Sequence, residues 1–174
     1  AKPLPLTTLG VRHGLSDRVD AHTALHTTTL ALFGLFGMEA GVGYLLLPQA
    51  GWRPALMGDV TILGFYGNLG QGDPSGGFRA FAQPNLVASW GYGKREHLAY
   101  LGAGLFVQPV PVTALSTFAV GTQLRATSMD FSLEGRWSAP GTVSDGVTLD
   151  WRGVGDRGAL GLHLAARWRF GGAQ

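Results

Sequence analysis

Three polar residues near the amino terminus have types and spacing that could bind a metal ion. Asp20, His22 and His26 lie two or four positions apart, so on a β-strand their side chains would share one face. Imidazole and carboxylate groups are common zinc ligands, but a zinc site needs at least three protein ligands. The sequence fixes no third or fourth ligand for the two histidines. We therefore expect these residues to join a hydrogen-bonded polar network and expect no bound metal.

A second candidate for chemistry is the pair His13 and Ser16. A nucleophilic serine needs a base within reach and a third group that orients the base, yet Ser16 lies in a predicted turn and no G-x-S-x-G motif is present. The glycine-rich segment 70–77 lacks the lysine that follows a phosphate-binding loop. The chain has no cysteine, which excludes thiol catalysis and disulfides. We expect neither enzymatic activity nor a cofactor.

The charged residues fall on alternate positions, which is the period of a β-strand. The segment 159–170, ALGLHLAARWRF, shows this most clearly, with one wholly apolar face and one face of small or charged residues. The apolar face consists of Leu160, Leu162, Leu164, Ala166, Trp168 and Phe170, and the other of Gly161, His163, Ala165, Arg167 and Arg169. The segment 129–137 alternates in the same way, with Asp130, Glu134 and Arg136 on its polar face.

Alternation along the chain predicts an all-β protein with nine strand candidates and no linker between them, so residues 1–174 form one domain. Pro84 lacks an N–H group for a sheet ladder, and we expect a bulge or a local break there. Short turns are expected at 15–18, 48–51, 93–96 and 125–127, and longer polar loops at 68–77 and 139–158. The candidates begin and end near residues 6–13, 18–32, 35–47, 54–66, 77–92, 97–108, 113–125, 128–138 and 158–170.

The composition favours a sheet in lipid over a sheet in water. The chain is 45% hydrophobic and only 14% charged, against about 25% charged residues in soluble domains. Water-facing strand positions should be rich in lysine, but the only lysines are Lys2 and Lys94. In lipid every backbone group must be paired, so such a sheet must close. Aromatic residues near predicted strand ends are typical of membrane interfaces: Trp52, Tyr66, Phe78, Trp90, Tyr92, Trp137, Trp168 and Phe170.

Two other architectures fit the sequence less well. The run from residue 30 to residue 47 is just long enough to span a membrane as a helix. Glu39 lies at its centre, where a carboxylate is costly in lipid, and four glycines interrupt it. A soluble lipocalin-like barrel would need a polar outer face, which the continuous apolar positions do not provide.

The chain resembles bacterial outer-membrane β-barrel proteins. Leu162, Leu164, Ala166, Trp168 and Phe170 are similar to the carboxy-terminal signal that the barrel-assembly machinery reads, although Gly171 to Gln174 follow the terminal aromatic residue. The segment 11–20, VRHGLSDRVD, is similar to strand–turn–strand units of such barrels, those of myxobacterial type in particular. The resemblance implies an antiparallel up-and-down transmembrane barrel of about 8–10 strands in a bacterial outer membrane. It implies outer-membrane lipid and the assembly machinery as partners.

The polar faces predict the content of the interior. An eight-stranded barrel is just filled by side chains, and buried charges persist only when paired, so we expect a polar network with salt bridges between the last two strands. Beside Gln83, Asn85, Gln123 and Arg125, its predicted members are Asp20, His22, His26, Glu39, Asp59, Arg79, Asp130, Glu134, Arg136, His163, Arg167 and Arg169. Single-chain bacterial barrels have an even number of strands, so nine candidates leave eight and ten open.

These features predict a structural or anchoring barrel, which could belong to an envelope complex. Segments 30–47 and 98–107 are apolar on both faces, which favours a tightly filled interior or a protein contact. A small anion-preferring diffusion pore is the alternative, and a lipid-modifying enzyme fits less well. Nucleic acid is not an expected partner, because the net charge is only +2 and the arginines are scattered along the chain.

Overall fold

The structure is a computed structural model that describes residues 7–67, 77–94, 96–109, 112–139 and 158–168. Nine antiparallel strands form one sheet in chain order, curled into a half-barrel. The predicted all-β, up-and-down architecture is confirmed. The described residues form nine strands, which matches the nine candidates and neither of the even numbers, eight and ten, that the expectation of a closed barrel left open. The elements are β1 (Thr8–Gly14), β2 (Val19–His26), α1 (Thr27–Phe33), β3 (Phe36–Leu47), β4 (Ala55–Tyr66), β5 (Phe78–Tyr92), β6 (His97–Pro109), β7 (Val112–Arg125), β8 (Met129–Ser138) and β9 (Ala159–Trp168).

One predicted strand was too long. The candidate at residues 18–32 ends as a strand at His26, and the chain continues as the short helix α1. Threonines at the start of α1 bond to Thr7, which lies just before β1: the Thr27 amide donates to the Thr7 carbonyl at 3.0 Å. Gly34 then ends the helix in the left-handed conformation, with φ of 64°. Among the described residues, no helix is both long and apolar enough to cross a bilayer.

Pro84 interrupts one sheet ladder, as expected for a residue without an N–H group. On one side β5 pairs continuously with β4, and Pro84 lies opposite Val60. On the other side the ladder with β6 passes from Ala82 to Asn85 without a change of register. The irregularity is therefore a local break and not a bulge.

The connections differ between the two ends of the sheet. Turns of a few residues join β1 to β2, β3 to β4, β5 to β6 and β7 to β8 at one end. The other end holds α1, the short connection from β6 to β7 and the two segments predicted as loops, 68–77 and 139–158, most of which lie outside the described residues. We call these the short-turn end and the long-loop end.

The two faces of the sheet differ in exposure. The convex face is apolar and exposed on every strand, with Ile62 at 60%, Val120 at 59% and Leu162 at 71% of their full exposure. The concave face holds the most buried side chains, among them Phe81 at 2% and Asp130 at 5%. A soluble protein would bury the apolar face of its sheet against a second layer, but the described residues bury the face that carries the charges.

Candidate functional site

The concave face gathers most of the predicted polar residues into three clusters, and the first lies toward the short-turn end. Arg12 Nε on β1 contacts Asp20 Oδ1 on β2 at 2.7 Å, and Arg12 Nη2 lies 3.8 Å from Asp59 Oδ2 on β4. His22 Nδ1 lies 3.7 Å from the same Asp59 oxygen, and His22 Nε2 is 3.1 Å from Thr61 Oγ1. Three strands, β1, β2 and β4, thus contribute side chains to a single network, and β3 lies between the last two.

The order Asp59, His22, Thr61 has the residue types of an acid–base–nucleophile triad, but its hydrogen bonds oppose that role. The Thr61 hydroxyl lies 3.1 Å from Asp59 Oδ1, and a carboxylate can only accept there, so the single hydroxyl proton is directed to Asp59. His22 Nε2 must then donate to Thr61 and cannot take its proton. The arrangement orients three polar groups and does not activate a nucleophile.

A second cluster joins strands that lie far apart in the sheet. His26 Nε2 lies 3.4 Å from Glu39 Oε2 on β3. Glu39 also interacts electrostatically with Arg136 on β8. Because β3 and β8 are five strands apart, this interaction acts across the interior of the curled sheet.

The third cluster lies on β6 to β8. The Tyr100 hydroxyl donates to Glu134 Oε2 at 3.0 Å, and Arg136 Nε donates to Glu134 Oε1 at 3.0 Å. Toward the short-turn end, Gln123 Nε2 donates to Asp130 Oδ2 at 3.0 Å. Tyr100 was not among the predicted members of the polar network. Its inward position, on the same face of β6 as the glycines Gly102 and Gly104, could have identified it.

The remaining predicted residues have diverse surroundings. The register places Asp130 opposite Arg167 and Glu134 opposite His163, so the carboxylates of β8 do face the basic residues of β9. Arg125 Nη1 donates to Glu96 Oε2 at 3.1 Å, at the short-turn end. Gln83 and Asn85 bond to each other on β5, and Arg79 lies near its start, opposite Phe65. Arg169 lies outside the described residues.

Glycines on the concave face let these side chains meet across an intervening strand. His22 reaches Thr61 by crossing β3 at Gly41, which is paired with both residues. Tyr100 reaches Glu134 by crossing β7 at Gly121 in the same way. A Cβ on Gly41 would lie 2.5 Å from the His22 ring, and one on Gly121 would collide with the Tyr100 hydroxyl. Small residues on the polar faces are evident from the sequence, but their use as crossing points depends on the register of the strands.

Gly121→Ala should therefore break the contact between Tyr100 and Glu134. The added methyl group forces the tyrosine ring out of its position, and overpacking of this kind costs about 1–3 kcal/mol. Urea unfolding of the full chain measures the effect. Gly135→Ala on β8 is the matched control, since its nearest neighbour would be a Val120 methyl at 3.9 Å. Equal losses in the two variants would contradict the crossing role.

Toward the long-loop end the interior is aromatic. His26 lies 5.1 Å from Phe65 between ring centroids, Phe65 lies 6.1 Å from Phe81, and Phe81 stacks on Phe106 at 4.8 Å. Four strands contribute one ring each to this aromatic cluster. Phe106 explains in part why the segment 98–107 is apolar on both faces, because the outward residues Leu101 and Leu105 are apolar as well. The rings therefore lie at the end of the interior where Glu39 and Arg79 are also found, since Glu39 and Phe81 both pair with Leu63 and Arg79 pairs with Phe65.

The predicted assembly signal lies on the convex side of the edge strand β9. Leu162, Leu164 and Trp168 are exposed there at 71%, 77% and 59%, and Ala166 shares their face. Phe170 lies outside the described residues.

Among the described residues, no group of three or more histidine and acidic side chains is placed so that it could hold a metal ion. Comparison of the chain with protein-family models, with curated proteins and with solved structures finds no match. Any functional conclusion must therefore rest on the geometry of the sheet and its two faces.

Proposed function

We propose that the chain is an outer-membrane β-barrel with a structural or anchoring role, whose interior is filled by side chains. The observation that carries the proposal is the exposed apolar convex face, which runs over all nine strands. Soluble proteins rarely expose apolar patches larger than a few hundred Å², whereas lipid-facing strands require an apolar outer surface. Outer-membrane lipid and the barrel-assembly machinery are the corresponding partners, and a further envelope protein could be held at the rim.

Pairing on the concave face supports a filled interior over an open one. Arg12, Arg125 and Arg136 each lie within 3.1 Å of a carboxylate oxygen. The aromatic cluster fills part of the interior toward the long-loop end, with Phe81 almost fully buried. In the described residues, these ion pairs and rings occupy interior space that a conducting pore would need for water. The proposal assigns the protein no catalytic activity.

A reconstitution experiment tests the proposal directly. The purified chain should require detergent, should migrate differently on a gel before and after heating, and should give no single-channel steps in planar bilayers. No current is expected because the paired charges and stacked rings leave no water-filled path through the interior. A chain that stays soluble without detergent would contradict the membrane assignment, and stable current steps would contradict the filled interior.

A small anion-preferring pore is the second candidate, favoured by the number of arginines on the concave face. Arg167 and Arg169 would then contribute to selectivity, since Arg167 lies on the exposed edge strand β9. In that case Arg167→Ala with Arg169→Ala should shift the reversal potential toward cations. Wild-type steps with an unchanged reversal potential in the double variant would count against anion selectivity.

A further inference from the structure

The connections at the two ends of the sheet carry opposite charge. In the sequence, the turns of the short-turn end contain four basic and two acidic residues, whereas the predicted loops of the long-loop end contain two basic and four acidic residues. The basic residues that the structure describes in these turns are all exposed: Arg18, Arg53 and Lys94. Of the acids, Glu96 is already paired with Arg125 at 3.1 Å. An anionic partner is therefore attracted to the short-turn end.

Contacts between turns and strand ends place the three basic turns side by side. The Leu45 amide donates to the Arg18 carbonyl at 2.7 Å, near the end of β3 that leads into the second turn. From that turn, Gln49 Oε1 accepts from the Gly91 amide at 2.6 Å, near the end of β5 that leads into the third turn. Neighbouring strands lie about 4.8 Å apart, so consecutive turns are separated by about 10 Å. Their cations therefore border one continuous surface.

The second turn presents an exposed tryptophan at the margin of the convex face. Ala50 and Arg53 exchange two backbone hydrogen bonds, of 3.3 and 3.1 Å, around Gly51. The indole of Trp90, an outward residue of β5, donates to the Trp52 carbonyl at 3.1 Å, which holds the turn on the convex side of the sheet. The Trp52 residue is 83% exposed. An exposed indole beside an apolar face is typical of the membrane–water interface.

We propose that the basic turn surface, formed by Arg18, Trp52, Arg53 and Lys94, binds the phosphate groups of anionic phospholipids in the adjacent leaflet. The cations pair with phosphate oxygens, and the Trp52 indole lies at the level of the headgroups. A lipid is favoured over an acidic protein because this surface borders the apolar convex face, where the acyl chains of the same lipids would lie. The inference rests on the proposed membrane role, and it adds the class of lipid and the end of the sheet that binds it.

A lipid titration of the full chain in neutral detergent micelles tests the proposal. The probes are phosphatidylglycerol and phosphatidylcholine with identical brominated acyl chains, which quench tryptophan fluorescence at short range. In dilute buffer the apparent affinity should be higher for phosphatidylglycerol by about fivefold or more, because each basic residue near an anionic surface contributes about that factor. Equal affinities for the two lipids would overturn the proposal. A chain that needs no detergent would instead contradict the membrane role itself.

Charge variants in the turns locate the preference. Arg53→Gln with Lys94→Gln should abolish it, because two of the three described cations of the surface are lost. Asp17→Asn is the control of opposite sign, since it removes an exposed acid next to Arg18 and should strengthen the preference. A double variant that keeps the full preference, or a weaker preference in Asp17→Asn, would contradict the assignment to these turns.

Salt and a competing peptide give two measurements on the unaltered chain. The Debye length falls from about 30 Å at 0.01 M to about 3 Å at 1 M ionic strength, so the preference for phosphatidylglycerol should disappear in about 1 M sodium chloride. A preference that persists there would show that charge does not cause it. A short polyglutamate peptide should not displace the lipid at equal charge concentration. Displacement would indicate an acidic protein as the occupant and overturn the lipid assignment.

Discussion

Ile62→Arg should destabilise the protein in lipid vesicles by about 2–4 kcal/mol, the cost of an arginine on a lipid-facing strand at the bilayer midplane. Ile62 lies in the middle of β4 on the convex face and is 60% exposed. In lipid the guanidinium loses its hydration, and the convex face of the described strands carries no carboxylate that could pair with it. Urea unfolding of the chain folded into vesicles measures the loss.

Leu15→Arg is the matched control for this prediction. Leu15 is 63% exposed but lies in the turn between β1 and β2, where a charge stays hydrated. We expect a change within about 1 kcal/mol, as for charges near the membrane interface. In water both exposed positions would tolerate arginine within about 0.5 kcal/mol. Two neutral variants would therefore show that the convex face does not lie in lipid.

Several strands could be predicted from the sequence because their residues alternate clearly. The candidate at 113–125 corresponds to Val112–Arg125, and the candidate at 128–138 to Met129–Ser138. A strand that presents one face to each environment must alternate strictly, so its ends coincide with the loss of the pattern. The error at Thr27–Phe33 has a different origin. The threonines bond to Thr7, some 20 residues away, and no local pattern reports that contact.

The partners inside the sheet could be predicted only in part. Salt bridges were expected between β8 and β9, and the register does place Asp130 opposite Arg167. Glu134, however, bonds to Arg136 on its own strand and to Tyr100 two strands away. A contact across an intervening strand requires a glycine on that strand between the two partners. Whether a glycine lies there depends on the register, which turn lengths and sheet curvature set together.

These contacts give a physical reason for glycines within the strands. The sequence has 28 glycines, and flexibility would be a costly use for so many in strands. Gly41 and Gly121 instead leave room for a neighbour's side chain, which replaces the missing side-chain volume. Once the register is known, a glycine that pairs with inward polar or aromatic residues on both adjacent strands therefore indicates a side-chain contact across its own strand.

Phe81→Ala should be the most damaging truncation in the interior. Phe81 is 2% exposed, stacks on Phe106 and meets Phe65 edge-on, so the change removes two ring contacts and leaves a cavity. Truncations of buried phenylalanines cost about 3–5 kcal/mol. The same unfolding measurement in vesicles gives the value.

Phe78→Ala, three residues earlier on β5, separates the effect of the cavity from the loss of a ring. Phe78 is 66% exposed on the convex face, where lipid or water fills the vacated space. Its truncation should cost markedly less than that of Phe81, because no enclosed void remains. If the two variants lost equal stability, the concave face could not be the packed side of the sheet. A sheet packed through its convex face would reverse the order, with Phe78→Ala the more damaging change, and would also remove the reason for placing that face in lipid.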